Sequence, residues 1–352
     1  MALKRKKGRP AYHQGGLQRP LDGVAIELTT SCNLSCKMCS VWKRKEPEIS
    51  YDKILSLLGE ARALGAEQYY SCGTEPFARE DTPDILAYAE RIGFRESCIV
   101  SNGLLLHTSD IMDRVEKLGI VHIVISLDGP EEVHDELRGK GTYSSAVAAL
   151  RELRKREITC SIASIIMRQT VDRLKEIIDL AAGLGIPVIS MQPYQPETAG
   201  LDSDHAAFTF RPEEEENLRM KLKELMDYAQ KTGVTIYTAN MMKFIPPYLA
   251  RGIRHVPPCG CHVPSRLLVV DSSGDTFPCF MMRERLRNKS MGNIYETSLN
   301  NIWHNSIHGE LVRTALDRRC PGCLASCSDV ESYDELQRRG WFARYFRKLT
   351  RQ

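Results

Sequence analysis

The chain has no uninterrupted apolar run of the roughly 18 residues that a membrane-crossing helix needs, so none is expected. Its basic start has no apolar segment behind it, so it is not a secretory signal. Without an export signal, twelve cysteines are not read as the disulfide framework of a secreted fold. A reducing cytoplasm is the expected compartment, where clustered thiols more often bind metal. A net charge of only +3 gives no strong nucleic-acid signal. Acidic residues are also missing from both ends. The first twenty residues carry Lys4, Arg5, Lys6, Lys7, Arg9 and Arg19, and the last fifteen carry Arg338, Arg339, Arg344, Arg347, Lys348 and Arg351. Solvated tails are the plain reading, and an anionic partner such as a membrane surface is the sharper one.

With 352 residues, 42% of them apolar, the chain can build a large core in one or two domains. Its most informative feature is Cys32, Cys36 and Cys39, spaced C-x3-C-x2-C directly after an apolar run. Three thiolates on one tight loop can hold three corners of a four-iron, four-sulfur cube and leave the fourth iron to a small molecule. A structural site would instead close the metal with four protein ligands.

The hydrophobic period alternates along the chain. Strand patterns at 24–29, 67–72, 96–101, 121–127, 159–167 and 187–192 are each followed, except the last, by a helical pattern, at 49–64, 83–92, 110–118, 143–156 and 171–184. Six such strands predict a parallel sheet with right-handed crossovers, an open partial (β/α)6 TIM-like barrel with its chemistry at the carboxyl ends of the strands. The expected organisation is a basic segment 1–21, a barrel core 22–210, a connector 211–254, a small cysteine-rich domain at 255–330 and a basic amphipathic helix at 331–352. A hairpin is expected at 266–279, around the turn Asp271-Ser272-Ser273-Gly274-Asp275.

The cysteine triad at the end of the first strand resembles the signature of radical S-adenosylmethionine (radical SAM) enzymes. Other runs recur in the family's order. Cys72-Gly73-Thr74-Glu75-Pro76 resembles the Gly-Gly-x-Glu-Pro motif that holds the SAM amino group. Ser101-Asn102-Gly103 and Ser126-Leu127-Asp128-Gly129-Pro130 follow the third and fourth strands. His134-Asp135, Arg138-Gly139 and Gly141-Thr142-Tyr143 resemble the run found in members with an extra cluster domain. The resemblance implies that Glu75 accepts the SAM ammonium and that Gly73 lets the backbone approach. It implies that Ser101, Asn102, Ser126 and Asp128 serve the carboxylate, ribose or substrate, and that Arg138 pairs the SAM carboxylate. The reaction implied is reductive cleavage of SAM to a 5′-deoxyadenosyl radical, which abstracts hydrogen from an unactivated carbon. A small-molecule or peptide substrate and a reductant such as flavodoxin or ferredoxin go with it.

A second set, Cys261, Gly274, Cys279, Cys320 and Cys323, resembles the family's SPASM or shortened twitch extension, with Met291-Gly292-Asn293-Ile294 in place. The chain lacks a cysteine after Cys327 and has C-x2-C-x3-C where a full version has a longer run. One auxiliary four-iron cluster on Cys261, Cys279, Cys320 and Cys323 is therefore expected, with Cys259 and Cys327 as alternates; a zinc site is the structural alternative. Family members that oxidise an alcohol place an aspartate after the second cysteine. Here Phe280, Met281 and Met282 follow Cys279, so that route is in doubt. Cys72 replaces the usual glycine. It is either a small filler or a hydrogen-atom donor, as a redox-neutral epimerase would require. A radical SAM oxidoreductase or maturase is the first functional expectation, an epimerase the second, and a zinc-stabilised binding protein the alternative from another class. The cysteines Cys98 and Cys160 are read as core.

Overall fold

The computed structural model describes residues 20–71, 73–106, 109–196, 204–258, 260–285 and 290–325. The basic residues up to Arg19 and the expected C-terminal helix lie outside them. Strands β1 (Gly23–Ile26), β2 (Gln68–Ser71), β3 (Glu96–Ser101), β4 (Val121–Ser126), β5 (Thr159–Ile166) and β6 (Val188–Pro193) pair in sequence order, all parallel. Between them run α1 (Tyr51–Ala63), α2 (Thr82–Arg91), α3 (Ser109–Val115), α4 (Glu131–Arg138), α5 (Thr142–Lys155) and α6 (Leu174–Gly183).

Local chemistry sets each helix. In α1, Ser50 accepts a hydrogen bond from the Lys53 amide, capping the start. The buried Ile54, Leu57, Leu58 and Ala61 then form one stripe. Gly65 follows at φ +106°, a conformation that stops the helix where a side chain would press on Pro20.

Side chains in a strand alternate between two faces. Ile99, Ile123, Ile125 and Ile162 belong to the large core shared with the helices. The intervening Cys98, Val100 and Val124 face the other way, toward the concave side, where Ala25, Val269 and Phe277 form a separate small cluster. Val100 is 39% exposed in mid-sheet, so this inner wall is not packed shut.

The sheet does not end with six strands. A two-residue strand, β7 (Thr235–Ile236), adds parallel to β6. At the other edge, β8 (Leu267–Val270) adds parallel to β1, and β9 (Thr276–Phe277) turns back antiparallel to β8. The expected hairpin thus exists, but it is joined to the barrel sheet, with Asp22 and Arg266 paired at 2.5 Å beside the seam. Some helices are not marked by the sequence pattern. Helix α4 is short and mostly charged, burying only His134 and Leu137. The expected connector contains a helix at Ile245–Arg251, with Pro246 and Pro247 in its first turn, where a missing amide donor costs nothing.

Candidate functional site

The cysteine loop leaves the carboxyl end of β1 and is held from several sides. Glu48 accepts hydrogen bonds from the Thr29 hydroxyl at 2.6 Å and the Thr30 amide at 2.9 Å. The Lys37 amide donates to the Leu137 carbonyl of α4 at 2.8 Å, and the Trp42 indole donates to the Cys39 carbonyl at 2.8 Å. Cys32, Cys36 and Cys39 are free thiols, each half-buried. Burial pushes the Cys36 thiol up to about 11, with the Arg138 guanidinium pulling the other way and Cys39 and Cys32 adding to the rise. Burial raises Cys32 as well.

The ends of β2 and β3 meet this loop. The buried Glu75 carboxylate accepts from the Ser101 hydroxyl at 2.9 Å, the Asn102 amide at 2.7 Å and the Phe77 amide at 3.2 Å. Burial raises its pKa against those three hydrogen bonds. The Asn102 side-chain amide donates to the side-chain oxygen Oδ1 of Asn33 at 2.7 Å, and Asn33 lies between Cys32 and Cys36. A hydrogen-bonded path therefore runs from the thiol loop to Glu75. Thr74 donates to the Thr29 carbonyl, and Pro76 opens a buried turn, Pro76–Ala78. Ser126 ends β4, half-buried.

Helix α4 brings in the next residues. The Arg138 Nε donates to Asp128 Oδ2 at 2.6 Å, and Asp128 Oδ1 accepts from the Ile165 amide at 2.9 Å. The Asp128 amide donates to His134 Nδ1 at 3.1 Å. That nitrogen must therefore be unprotonated, in keeping with burial, which pushes His134 down to about 4. Asp135 accepts from the amides of Gly141 at 2.5 Å and Tyr143 at 2.8 Å, capping α5. The His-Asp, Arg-Gly and Gly-Thr-Tyr run is thus one folded unit: a helix whose far end carries Arg138 to the thiols and whose middle caps the helix that follows.

Four cysteines of the second set also come together. Cys279 is buried, and its thiol is pushed well up by burial, with Cys323, Cys261 and Cys320 near enough to add to the rise. The Met282 amide donates to the Cys279 sulfur at 3.3 Å. Two glycines make the approach possible. A Cβ on Gly260 would stand 2.3 Å from the Leu316 carbonyl oxygen, and one on Gly322 would stand 2.8 Å from that of His255. Cys261 and Cys323, the next residues, donate their amides to Ala315 and His255.

Among the described residues, no three His, Cys, Asp or Glu side chains are already drawn together as around a single ion. A cube binds its protein sulfurs through separate irons, so it needs thiols near one another but not converged; within each set the thiols are near enough to raise one another's pKa. Thiols held protonated by burial must release protons to bind it.

Cys72, Cys259 and Cys327 lie outside the described residues. Cys160 is core; Cys98 is half-buried on the inner wall. Among residues after β6 that could meet substrate, Tyr194 is buried with its hydroxyl 2.9 Å from His205 Nδ1, and Gln195 donates to the Leu324 carbonyl at 3.0 Å. Both are engaged in folding. Asn33 and Glu48 were not singled out by spacing; an asparagine inside a cysteine loop was the one signal available.

The model of the Radical SAM superfamily matches residues 26–181, and that of the SPASM iron–sulfur cluster-binding domain matches residues 259–328. The chain belongs to the radical SAM enzymes that carry a SPASM domain. SAM, a 4Fe-4S cluster and auxiliary iron–sulfur chemistry are the cofactors of that class.

Among particular relatives, the chain is 28% identical over 327 residues to mycofactocin maturase MftC of Mycolicibacterium smegmatis, covering 90% of this chain and 78% of that one. It is 28% identical over 295 residues to the PqqA peptide cyclase of Gluconobacter oxydans, covering 82% and 78%. It is 24% identical over 304 residues to the AdoMet-dependent heme synthase of Methanosarcina barkeri, covering 80% and 82%. Its fold is similar to Streptococcus suis SuiB bound to S-adenosylmethionine, with a TM-score of 0.66 at 16% identity over 83% and 68% of the two chains. It is likewise similar to anSMEcpe with bound AdoMet, at 0.65 and 16% over 95% and 96%.

Proposed function

We propose that the chain is a radical SAM oxidoreductase that modifies a carbon centre in a peptide. In this reading Cys32, Cys36 and Cys39 hold the SAM-binding cluster, and Cys261, Cys279, Cys320 and Cys323 hold one auxiliary cluster. The observation that carries the reading is the path from the cysteine loop through Asn33 and Asn102 to Glu75. It puts the thiols and a fixed, buried carboxylate on one seam at the strand ends. When bound, the cluster and SAM supply a 5′-deoxyadenosyl radical able to take hydrogen from an unactivated carbon.

The chain's own residues bind and orient. Glu75 accepts the SAM ammonium. Arg138, held in place by Asp128, meets the SAM carboxylate and offsets negative charge at the thiolates. Ser101 fixes Glu75, and Ser126 offers a hydroxyl at the barrel mouth. Beside them Val100 and Val124 present an uncharged inner wall against which an apolar part of the substrate can pack. Peptide as substrate is supported by the relatives named as a maturase and a peptide cyclase. A second reading, an iron tetrapyrrole, is favoured by the relative named as a heme synthase.

The test is anaerobic. Iron and sulfide analysis should give about eight irons per chain for two cubes. Dithionite with SAM should yield 5′-deoxyadenosine. Screening synthetic peptides by mass spectrometry should reveal loss of hydrogen from one of them. A shift of the porphyrin visible band on adding iron coproporphyrin, with no peptide altered, would select the second reading. Zinc without iron would end both.

A further inference from the structure

We infer that Glu27 is a positioning residue that sets the two cysteine sites in register with each other and with the SAM-binding turn. The inference rests on the function proposed above and adds a residue that the motifs do not contain.

Glu27 follows β1 directly and is 1% exposed. Three separate segments end on its carboxylate. Arg44, a few residues beyond Cys39, meets both oxygens: Nη2 faces Oε1, and Nη1 stands 3.4 Å from Oε2. Arg283 donates from Nη2 to Oε2 at 2.5 Å. Its own amide donates to the Cys279 carbonyl at 3.1 Å, so Arg283 sits one helical turn after an auxiliary cysteine. The Ser272 amide, in the β8–β9 turn, approaches Oε2 at 3.4 Å. The ring closes through Glu46, which pairs Arg44 at 3.7 Å and accepts from the Ser272 hydroxyl at 3.3 Å.

The SAM-binding turn rests on the same carboxylate. A Cβ at Gly73 would stand 2.5 Å from Glu27 Oε1 and 2.8 Å from its Cγ, at φ +107°. Gly73 therefore lies against Glu27 as closely as backbone allows, and Thr74 and Glu75 continue from it. Moving Glu27 moves that turn.

Stability alone is a poor reason for such a cluster. Removing charges from water costs about as much as their pairing returns, and an apolar packing of the same volume does as well. Direction is what buried guanidinium–carboxylate pairs provide that apolar contacts do not. Arg44 reports the position of the first cysteine loop and Arg283 that of the second; Glu27 fixes both against the sheet. A change made beside the auxiliary cysteines should therefore be felt where SAM binds.

The experiment uses the reconstituted full-length protein and needs no substrate. The reduced cluster's electron paramagnetic resonance signal is titrated with SAM in the native chain and in Arg283→Gln, Arg283→Lys and Glu27→Gln, with iron measured in each. Arg283→Gln should keep its iron yet need about tenfold more SAM for half the signal change. Arg283→Lys, which keeps a charge for Glu27, should recover most of that loss. Glu27→Gln should shift in the same direction as Arg283→Gln. If Glu27→Gln fails to fold, the two Arg283 variants decide. Native SAM dependence in an iron-replete Arg283→Gln would overturn the inference and leave the proposed function standing. A native chain whose signal ignores SAM would instead overturn the function itself.

Discussion

Asn33 shows what a motif leaves unsaid at the level of single residues. The cysteine spacing marks the three proposed ligands, while the residue between two of them carries the hydrogen bond that brings the loop to Asn102 and Glu75. The three cysteines stood out because thiols at that spacing have few other uses. Asn33, Glu27, Arg44 and Arg283 were not, because their partners lie far away in sequence and no local pattern announces them. Replacing Cys36 with alanine should halve the iron, from about eight to about four per chain, and abolish 5′-deoxyadenosine formation, as read by metal analysis and chromatography. A second prediction concerns pH. His122 is buried with Nε2 2.9 Å from the Ser161 hydroxyl, and burial holds its pKa down from 6.5 to about 4. Between those values the unfolded chain binds the extra proton, so stability is full above pH 6.5 and falls as pH drops toward 4. From pH 7 to pH 5 the loss through His122 is about 2 kcal/mol. His122→Asn should show a correspondingly flatter change in urea midpoint over that range, with the remaining slope owed in part to His134.

At the level of elements, helix α4 is the piece most easily overlooked and among the most consequential. Its sequence is too short and too charged to register as a periodic helix, yet it carries Arg138 to the thiols, gives the Leu137 carbonyl to Lys37 and caps α5 through Asp135. Asp135→Ala should cost about 1–2 kcal/mol, the usual worth of a helix cap, seen as a lower melting temperature. Because α4 also grips the cysteine loop, the same variant should need more SAM for half-maximal cleavage. The long units were legible: β3 runs over Glu96–Ser101, as its alternation indicates, and α1 and α5 lie within a few residues of their patterns. What the patterns did not carry was tertiary pairing. The hairpin was foreseen as a hairpin, but nothing in the apolar run at Leu267–Val270 says that its neighbour is β1.

On the scale of the whole molecule, that pairing makes the cysteine-rich region part of the barrel's sheet. The SPASM match at 259–328 and the radical SAM match at 26–181 are separate in sequence, and β8 lies beside β1 all the same. Ending the chain before residue 259 should therefore not yield a smaller working enzyme. It should bare the edge of β1, and exposed edges recruit other chains; size-exclusion chromatography should find aggregate in place of a monodisperse core. No described helix is long and apolar enough to cross a membrane. The position of β8 also bears on how the protein is made. Strand β1 must wait for β8, far along the chain, before its second flank is covered, so this sheet cannot be completed until β8 has been made. Contacts so distant along the chain are slow to form, and a half-covered strand invites misassembly meanwhile. A cell making this enzyme has reason to shelter the nascent chain until β8 arrives.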